Sequence, residues 1–146
     1  MNQKIQNFIN SKSIAVIGVS PSSKKMGNAI YKTLRDNGHK VYPVHPFEET
    51  IMGDKAFKDV RSLPDGIDAA VIAISPDKAE GVMDDITQCG IKKIWFQRGA
   101  DFSAAIRKAE AAGMDVVSKK CILMYAPPVK GIHSFHRFLA KIFGRL

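Results

Sequence analysis

Ser13-Ile-Ala-Val-Ile-Gly-Val-Ser-Pro-Ser-Ser-Lys-Lys-Met-Gly-Asn28 is the stretch that decides the fold. Its opening, Ser13 to Val19, is an apolar run that ends at a glycine and a polar loop, the composition of a strand buried on both faces. From Gly27 to Asn37 the apolar positions Ile30, Tyr31 and Leu34 fall at helical spacing, and Gly38 follows as a C-terminal stop. Strand, loop and helix therefore succeed one another within 26 residues.

The same alternation continues along the chain. Lys40-Val-Tyr-Pro-Val44 reads as a short second strand, turned outward by Pro43 and Pro46, and Asp68-Ala-Ala-Val-Ile-Ala-Ile74 as a third. Ser75-Pro76 caps and opens a helix that runs to about Cys89, since proline is well tolerated in a first helical turn. Ile91 to Phe96 is a fourth strand, Phe102 to Ala112 a helix stopped by Gly113, and Asp115-Val-Val117 a fifth strand. No hairpin turn separates the strands. The order predicts an α/β fold: a single Rossmann-like, doubly wound parallel sheet of five strands, with helices on both faces and a C-terminal helical tail. A helical lead-in over residues 1–12, the nucleotide-binding domain over 13–125 and a basic amphipathic tail over 126–146 divide the chain.

Length and composition agree with one domain. The 146 residues are enough to bury a core, and fractions of 45% hydrophobic and 25% charged are those of an ordinary globule. No apolar run approaches the roughly 20 residues of a bilayer span, and the first 13 residues lack the apolar core of a secretion signal. Cys89 and Cys121 have no framework spacing, so free thiols and the cytoplasm are expected. The net charge of +8 is uneven: Met1 to Asp115 holds 16 basic and 14 acidic residues, and no acid follows Asp115. Residues 1–47 carry seven basic side chains against the single acid Asp36. A basic start and a basic tail flanking an acidic middle suit a polyanionic ligand, although solvated lysines also serve solubility.

In such a sheet the ligand crevice lies outside the carboxyl ends of the strands, beside the first. Gly18 to Asn28, Pro43 to Phe47, Ile74 to Asp77 and Gln97 to Asp101 are the segments that reach it. The first combines Gly18, the hydroxyls of Ser20, Ser22 and Ser23, Lys24, Lys25 and a following helix start, a setting that attracts phosphate. It is neither G-x-G-x-x-G nor a P-loop. NAD-binding domains place a carboxylate near the end of strand two. Here Val41-Tyr-Pro-Val-His-Pro46 has none before Glu48, while Lys24, Lys25 and His45 are near. A nucleotide with an extra ribose phosphate fits better, and both NADP and coenzyme A answer that description.

Ile14-Ala-Val-Ile-Gly-Val-Ser20, Lys25-Met-Gly-Asn28, Val41-Tyr-Pro-Val-His-Pro46, Ala73-Ile-Ser-Pro76 and Ile94-Trp-Phe-Gln-Arg-Gly99 together resemble the stand-alone coenzyme A-binding protein family. That family is related to the nucleotide-binding domain of the succinyl-CoA synthetase α subunit. The resemblance implies binding of coenzyme A or an acyl-CoA without catalysis by the isolated chain. It implies that the Ser20 to Lys25 loop holds the diphosphate and that Pro43, Val44, Pro46, Ser75 and Pro76 border the adenosine. Phe96, Gln97 and Arg98 match the strand end that approaches the pantetheine arm. The synthetase's second domain, with its phosphorylated histidine, has no counterpart here.

Other chemistry is thinly supported. Lys119 and Lys120 precede Cys121 and would favour its thiolate, which could then pair with the coenzyme A thiol. His133 and His136 with Cys121 are one ligand short of a structural zinc site. Of Trp95 and Phe96, at least one must be core, because neighbours on a strand point apart. Phe135, Phe138, Leu139 and Ile142 beside Arg137, Lys141 and Arg145 make a tail suited to docking on this domain or on a second copy, as a homodimer. An NADP-dependent oxidoreductase is the second reading. A nucleic-acid module is the third, against which the absence of a reading motif counts. The missing carboxylate has a direct consequence. Coenzyme A is expected to raise the melting temperature more than dephospho-coenzyme A or NAD does, and equal shifts in a thermal-denaturation assay would remove the extra phosphate site.

Overall fold

The computed structural model describes residues 3–19 and 26–125. A short helix α1 (Gln3–Ile9) leads into β1 (Ser13–Ile17), α2 (Met26–Asp36) and β2 (Lys40–Val44). A two-strand ribbon follows, β3 (Thr50–Ile51) with β4 (Asp54–Lys55), then a 3-10 turn at Val60–Ser62. The chain continues through β5 (Ala69–Ile72), α3 (Pro76–Gln88), β6 (Lys93–Gln97), α4 (Ser103–Ala111) and β7 (Asp115–Lys120) to a second 3-10 turn at Ile122–Met124. The main sheet has the order β2-β1-β5-β6-β7, and every pairing is parallel. Five parallel strands with helices on both faces are the architecture expected.

Alternation along the strands sorts the core into two layers. Ile14, Val16, Ala69, Val71, Trp95 and Val117 face α1, α2 and the segment after β7. Ala15, Ile17, Ala70, Ile72, Ile94 and Phe96 face α3 and α4. Both Trp95 and Phe96 are therefore core. Trp95 packs edge-on against Phe8 at 5.3 Å, and its indole N–H donates to the Lys120 carbonyl at 2.9 Å. Phe96 packs against Phe102 at 5.3 Å on the other face. It is completely buried, so it does not reach a ligand as expected.

Three local differences from the sequence reading have physical causes. β1 ends at Ile17 because Gly18 has φ +128°, outside strand space. β7 extends to Lys120, through a register irregularity opposite Trp95 and Gln97 that puts Lys119 at φ +61°. The third difference is the hairpin, where none was expected. Met52 and Gly53 both have positive φ, the primed two-residue turn that suits strand twist, but methionine gives no sequence signal for it.

Side chains of α2 hold that hairpin in place. The Tyr31 hydroxyl donates to Asp54 Oδ2, and the Arg35 guanidinium pairs with the same oxygen at 2.9 Å and donates to the Met52 carbonyl at 3.2 Å. Burial, then the hydrogen bond to Asp54, pushes the Tyr31 hydroxyl far above its ordinary pKa. The Tyr31 and Arg35 hydrogen bonds hold the Asp54 carboxyl below its own. A group whose folded pKa is depressed stabilises above its unfolded pKa and loses that contribution as pH falls through the folded one. Asp54→Ala leaves a buried phenol without its acceptor and is expected to cost about 1–2 kcal/mol in urea denaturation at neutral pH. The deficit should shrink under acid, where the wild-type carboxyl is itself protonated.

Candidate functional site

The strand order reverses between β1 and β5, so their carboxyl ends open a crevice with α2 and α3 leaving on opposite faces. Two backbone contacts close its floor. The Ala73 N–H donates to the Ile17 carbonyl at 2.8 Å, joining the two strand ends. Gly18 then lies so close that a Cβ there would meet the Ala73 carbonyl oxygen at 2.4 Å. Gly27, in the first turn of α2, is closer still to its neighbour: a Cβ would stand 2.2 Å from the Gly18 carbonyl oxygen. Both glycines are therefore required by contact with backbone, which cannot swing aside. Gly18 was expected at the site. Gly27 sat inside the quoted loop but was not singled out, although a glycine opening a helix was its signal.

Three helices begin on this edge, and their electrostatics differ. The first turn of α4 belongs to Asp101, whose carboxylate accepts from the backbone N–H of Ser103 at 3.0 Å and from its hydroxyl. Those bonds, the hydroxyl first, hold its carboxyl below the usual range. The first turn of α3 carries Asp77. The first turn of α2 carries no acid. A helix start presents unpaired N–H groups and partial positive charge, and only that of α2 is free of a neighbouring carboxylate of its own.

The expected residues separate into groups. Gly18, Asn28, Ser75 and Pro76 stand at the ends of β1 and β5 or in the helix starts that follow them: Asn28 is buried in the first turn of α2, and Ser75 is exposed before Pro76 with its hydroxyl unused as a helix cap. Pro43 is buried, and its carbonyl accepts from the Phe57 N–H at 2.9 Å. His45 and Pro46 follow β2, and His45 Nδ1 accepts the backbone N–H groups of Phe47 and Glu48, each at 3.1 Å. Ser20, Ser22, Ser23, Lys24 and Lys25 lie outside the described residues, as do the tail from 126 onward, His133 and His136.

At the end of β6, Gln97 is engaged within the protein. It is buried, its amide donates to Cys121 Sγ at 3.0 Å, and its carbonyl accepts the Ile122 N–H at 3.2 Å. Its side chain fastens the exit of β7. Cys121 is buried by the same contact, so the accessible thiolate that its lysines suggested is not what this residue presents. Arg98 is exposed, next to a recess of about 570 Å³ lined by Gly99 to Ser103, Ile106, Ser118 and Lys119. No helix among the described residues is long and apolar enough to cross a membrane.

Comparison with known proteins identifies the family. The family model described as "CoA binding domain" matches residues 12–127, a span that holds every described part of the crevice. The chain belongs to the CoA binding domain family. The α subunit of an ADP-forming acetate–CoA ligase II from Pyrococcus furiosus is 41% identical over 88 residues, covering 60% of this chain and 19% of that protein. An ADP-forming acetate–CoA ligase from Methanocaldococcus jannaschii is 29% identical over 135 residues, 92% of this chain and 19% of its own. The chain thus spans about a fifth of the length of these relatives. A solved structure, a hypothetical protein from Pyrococcus horikoshii, superposes with TM-score 0.79 at 27% identity, covering 95% of this chain and 92% of that one.

The tightest contact of the crevice sets its own test. Gly27→Ala must separate α2 from β1 and is expected to destabilise by roughly 1–3 kcal/mol. Gly81→Ala, at an exposed position of α3 with no atom within 4 Å of the new Cβ, should instead gain about 0.5–1 kcal/mol. Equal effects in urea denaturation would deny the close approach any special cost.

Proposed function

We propose that this CoA binding domain takes coenzyme A or an acyl-CoA in the crevice between β1 and β5, and that it binds without carrying out covalent chemistry of its own. The observation that carries the reading is the approach of Gly27 to Gly18, which sets the acid-free start of α2 against the end of β1. A diphosphate there would meet backbone N–H groups and the helix dipole. Ser20, Ser22, Ser23 and Lys25, between the two glycines in sequence, would add hydroxyls and charge. The adenosine would lie toward Pro46, Ser75 and Pro76, and Arg98 would face the far end of the ligand. These groups recognise a ligand; they supply neither a paired nucleophile and base nor a metal.

Family membership favours coenzyme A over NADP, which charge alone could not separate. It favours both over nucleic acid. The two free cysteines suit a reducing compartment such as the cytoplasm. The ligase relatives carry, over the rest of their length, whatever their reactions require beyond this domain. Titration calorimetry with coenzyme A tests the reading, and a wild-type protein that takes up none overturns it. Lys25→Ala is expected to weaken binding by roughly 1–3 kcal/mol with little effect on folding. Unchanged affinity would return Lys25 to the solvated surface and leave Lys24 as the phosphate-seeking cation.

A further inference from the structure

Phe47 is the most exposed large apolar side chain among the described residues, at 87%. An isolated surface phenylalanine is common enough to need no explanation, but the backbone beneath this one is fixed from three sides. The His45 N–H donates to the Phe57 carbonyl at 2.8 Å, and the Phe57 N–H returns a bond to the Pro43 carbonyl at 2.9 Å. Those bonds tie the end of β2 to the strand that leaves the hairpin. Beyond them, His45 Nδ1 accepts from the N–H groups of both Phe47 and Glu48 at 3.1 Å. An imidazole that accepts twice at Nδ1 carries its proton on Nε2. It acts here as asparagine does in an Asx-turn, folding the chain back onto its own side chain. Pro46, between them, has φ fixed by its ring. The His45 ring stands edge-on to Phe47, with centroids 6.1 Å apart. Phe47 is thus an aromatic ring held out into solvent on a turn that costs little further entropy to order.

Its position gives the ring a use. In a sheet of this order the nucleoside half of a dinucleotide-like ligand lies beside the loop after the second strand, and Phe47 stands three residues beyond the last residue of β2. Where other nucleotide sites keep a carboxylate for the ribose, this loop offers a π-face.

We infer that Phe47 is a stacking platform for the adenine ring of the bound coenzyme A, presented by a His45-centred turn. The inference rests on the binding reading above. Stacking of a base on an aromatic ring needs a flat, polarisable partner, and an aliphatic side chain of similar area does not replace it. His45 is a positioning residue in this scheme: it touches the turn and leaves the base to Phe47.

The test is calorimetric titration of coenzyme A into the wild type and five variants. Phe47→Ala and Phe47→Leu should weaken binding roughly 5- to 150-fold, the range that loss of one stacked base commonly gives. Phe47→Trp should keep or improve affinity, and its fluorescence should be quenched on adding ligand. His45→Ala should weaken binding, and His45→Asn should restore it, because its side-chain oxygen accepts the same two N–H groups. Circular dichroism on each protein separates loss of fold from loss of site. Wild type that binds while Phe47→Ala and Phe47→Leu bind equally well overturns the stacking and leaves the binding reading intact. So does a Phe47→Trp protein as weak as Phe47→Ala. Wild type that takes up no coenzyme A overturns the binding reading, and with it this inference.

Discussion

The close approach of Gly27 to Gly18 is the contact on which the ligand-facing edge of this molecule depends. A Cβ at position 27 would stand 2.2 Å from a carbonyl oxygen, and that oxygen belongs to a residue itself pressed onto Ala73. Three backbone segments from β1, α2 and β5 therefore meet with no side chain between them. The geometry has two effects at once. It sets the depth of the crevice, since a larger residue at either glycine would lift α2 away from the sheet. It also brings the start of α2 as near to the strand ends as covalent structure permits. Packing and ligand recognition are thus the same contact, and stability cannot be tuned here without changing the crevice.

A second constraint governs the edge of the sheet. The connection from β2 to β5 contains no α-helix, unlike the other crossovers, and β2 would otherwise be an exposed edge. Pro43 removes one donor from it. Phe57 covers part of the rest through a parallel bridge to Val44, with its ring against Tyr42 and under the Lys55 ammonium at 5.2 Å. The hairpin that delivers Phe57 is anchored by Tyr31 and Arg35 on α2. The inward face of α2 packs on the sheet, its start faces the crevice, and its outer flank restrains the loop that shapes the nucleoside side. The 3-10 turn that completes the connection is tied to α3 by Arg61 and Asp85 at 2.9 Å.

Much of this was legible in the sequence, for a reason that also marks the limit. Strands buried on both faces write themselves as apolar runs, and Ile14 to Ile17, Ala69 to Ile72 and Ile94 to Phe96 are such runs. Helices between them write themselves by spacing and by stops at Gly38 and Gly113. What escaped was decided by tertiary contact. Met52 adopts positive φ because its carbonyl and its neighbour Asp54 are both held by α2, and no local preference of methionine announces that. Gln97 looked available because a glutamine at a strand end often is. The irregular exit of β7 brings Cys121 and the Ile122 N–H onto its amide, and no local preference of glutamine announces that tie. His45 stood out beside the loop lysines, and the turn in which its Nδ1 accepts the Phe47 and Glu48 N–H groups had no signal in the sequence. In each case a contact with neighbouring backbone, which residue type does not announce, fixes what the side chain does.

The distribution of acids gives the crevice a direction. Residues 1–47 contain one acid, while the span from Asp77 to Asp101 contains five. Both spans contribute helix starts to the same edge, so two of the three starts are answered by the protein's own carboxylates. An anion at this edge is, under the binding reading, disfavoured at α3 and α4, where carboxylates stand, and favoured at α2. Under the binding reading this orients an asymmetric ligand before any specific contact forms: the charged nucleotide end goes to the β1 and β2 side, and the neutral arm extends over β5 and β6. The order of the strands then matters as much as the residues. With β2 at one edge and β7 at the other, the acid-free helix start after β1 and the two acid-bearing starts after β5 and β6 lie on opposite sides of the switch point. A fold that placed β2 between β5 and β6 would carry the same charges and lose the direction.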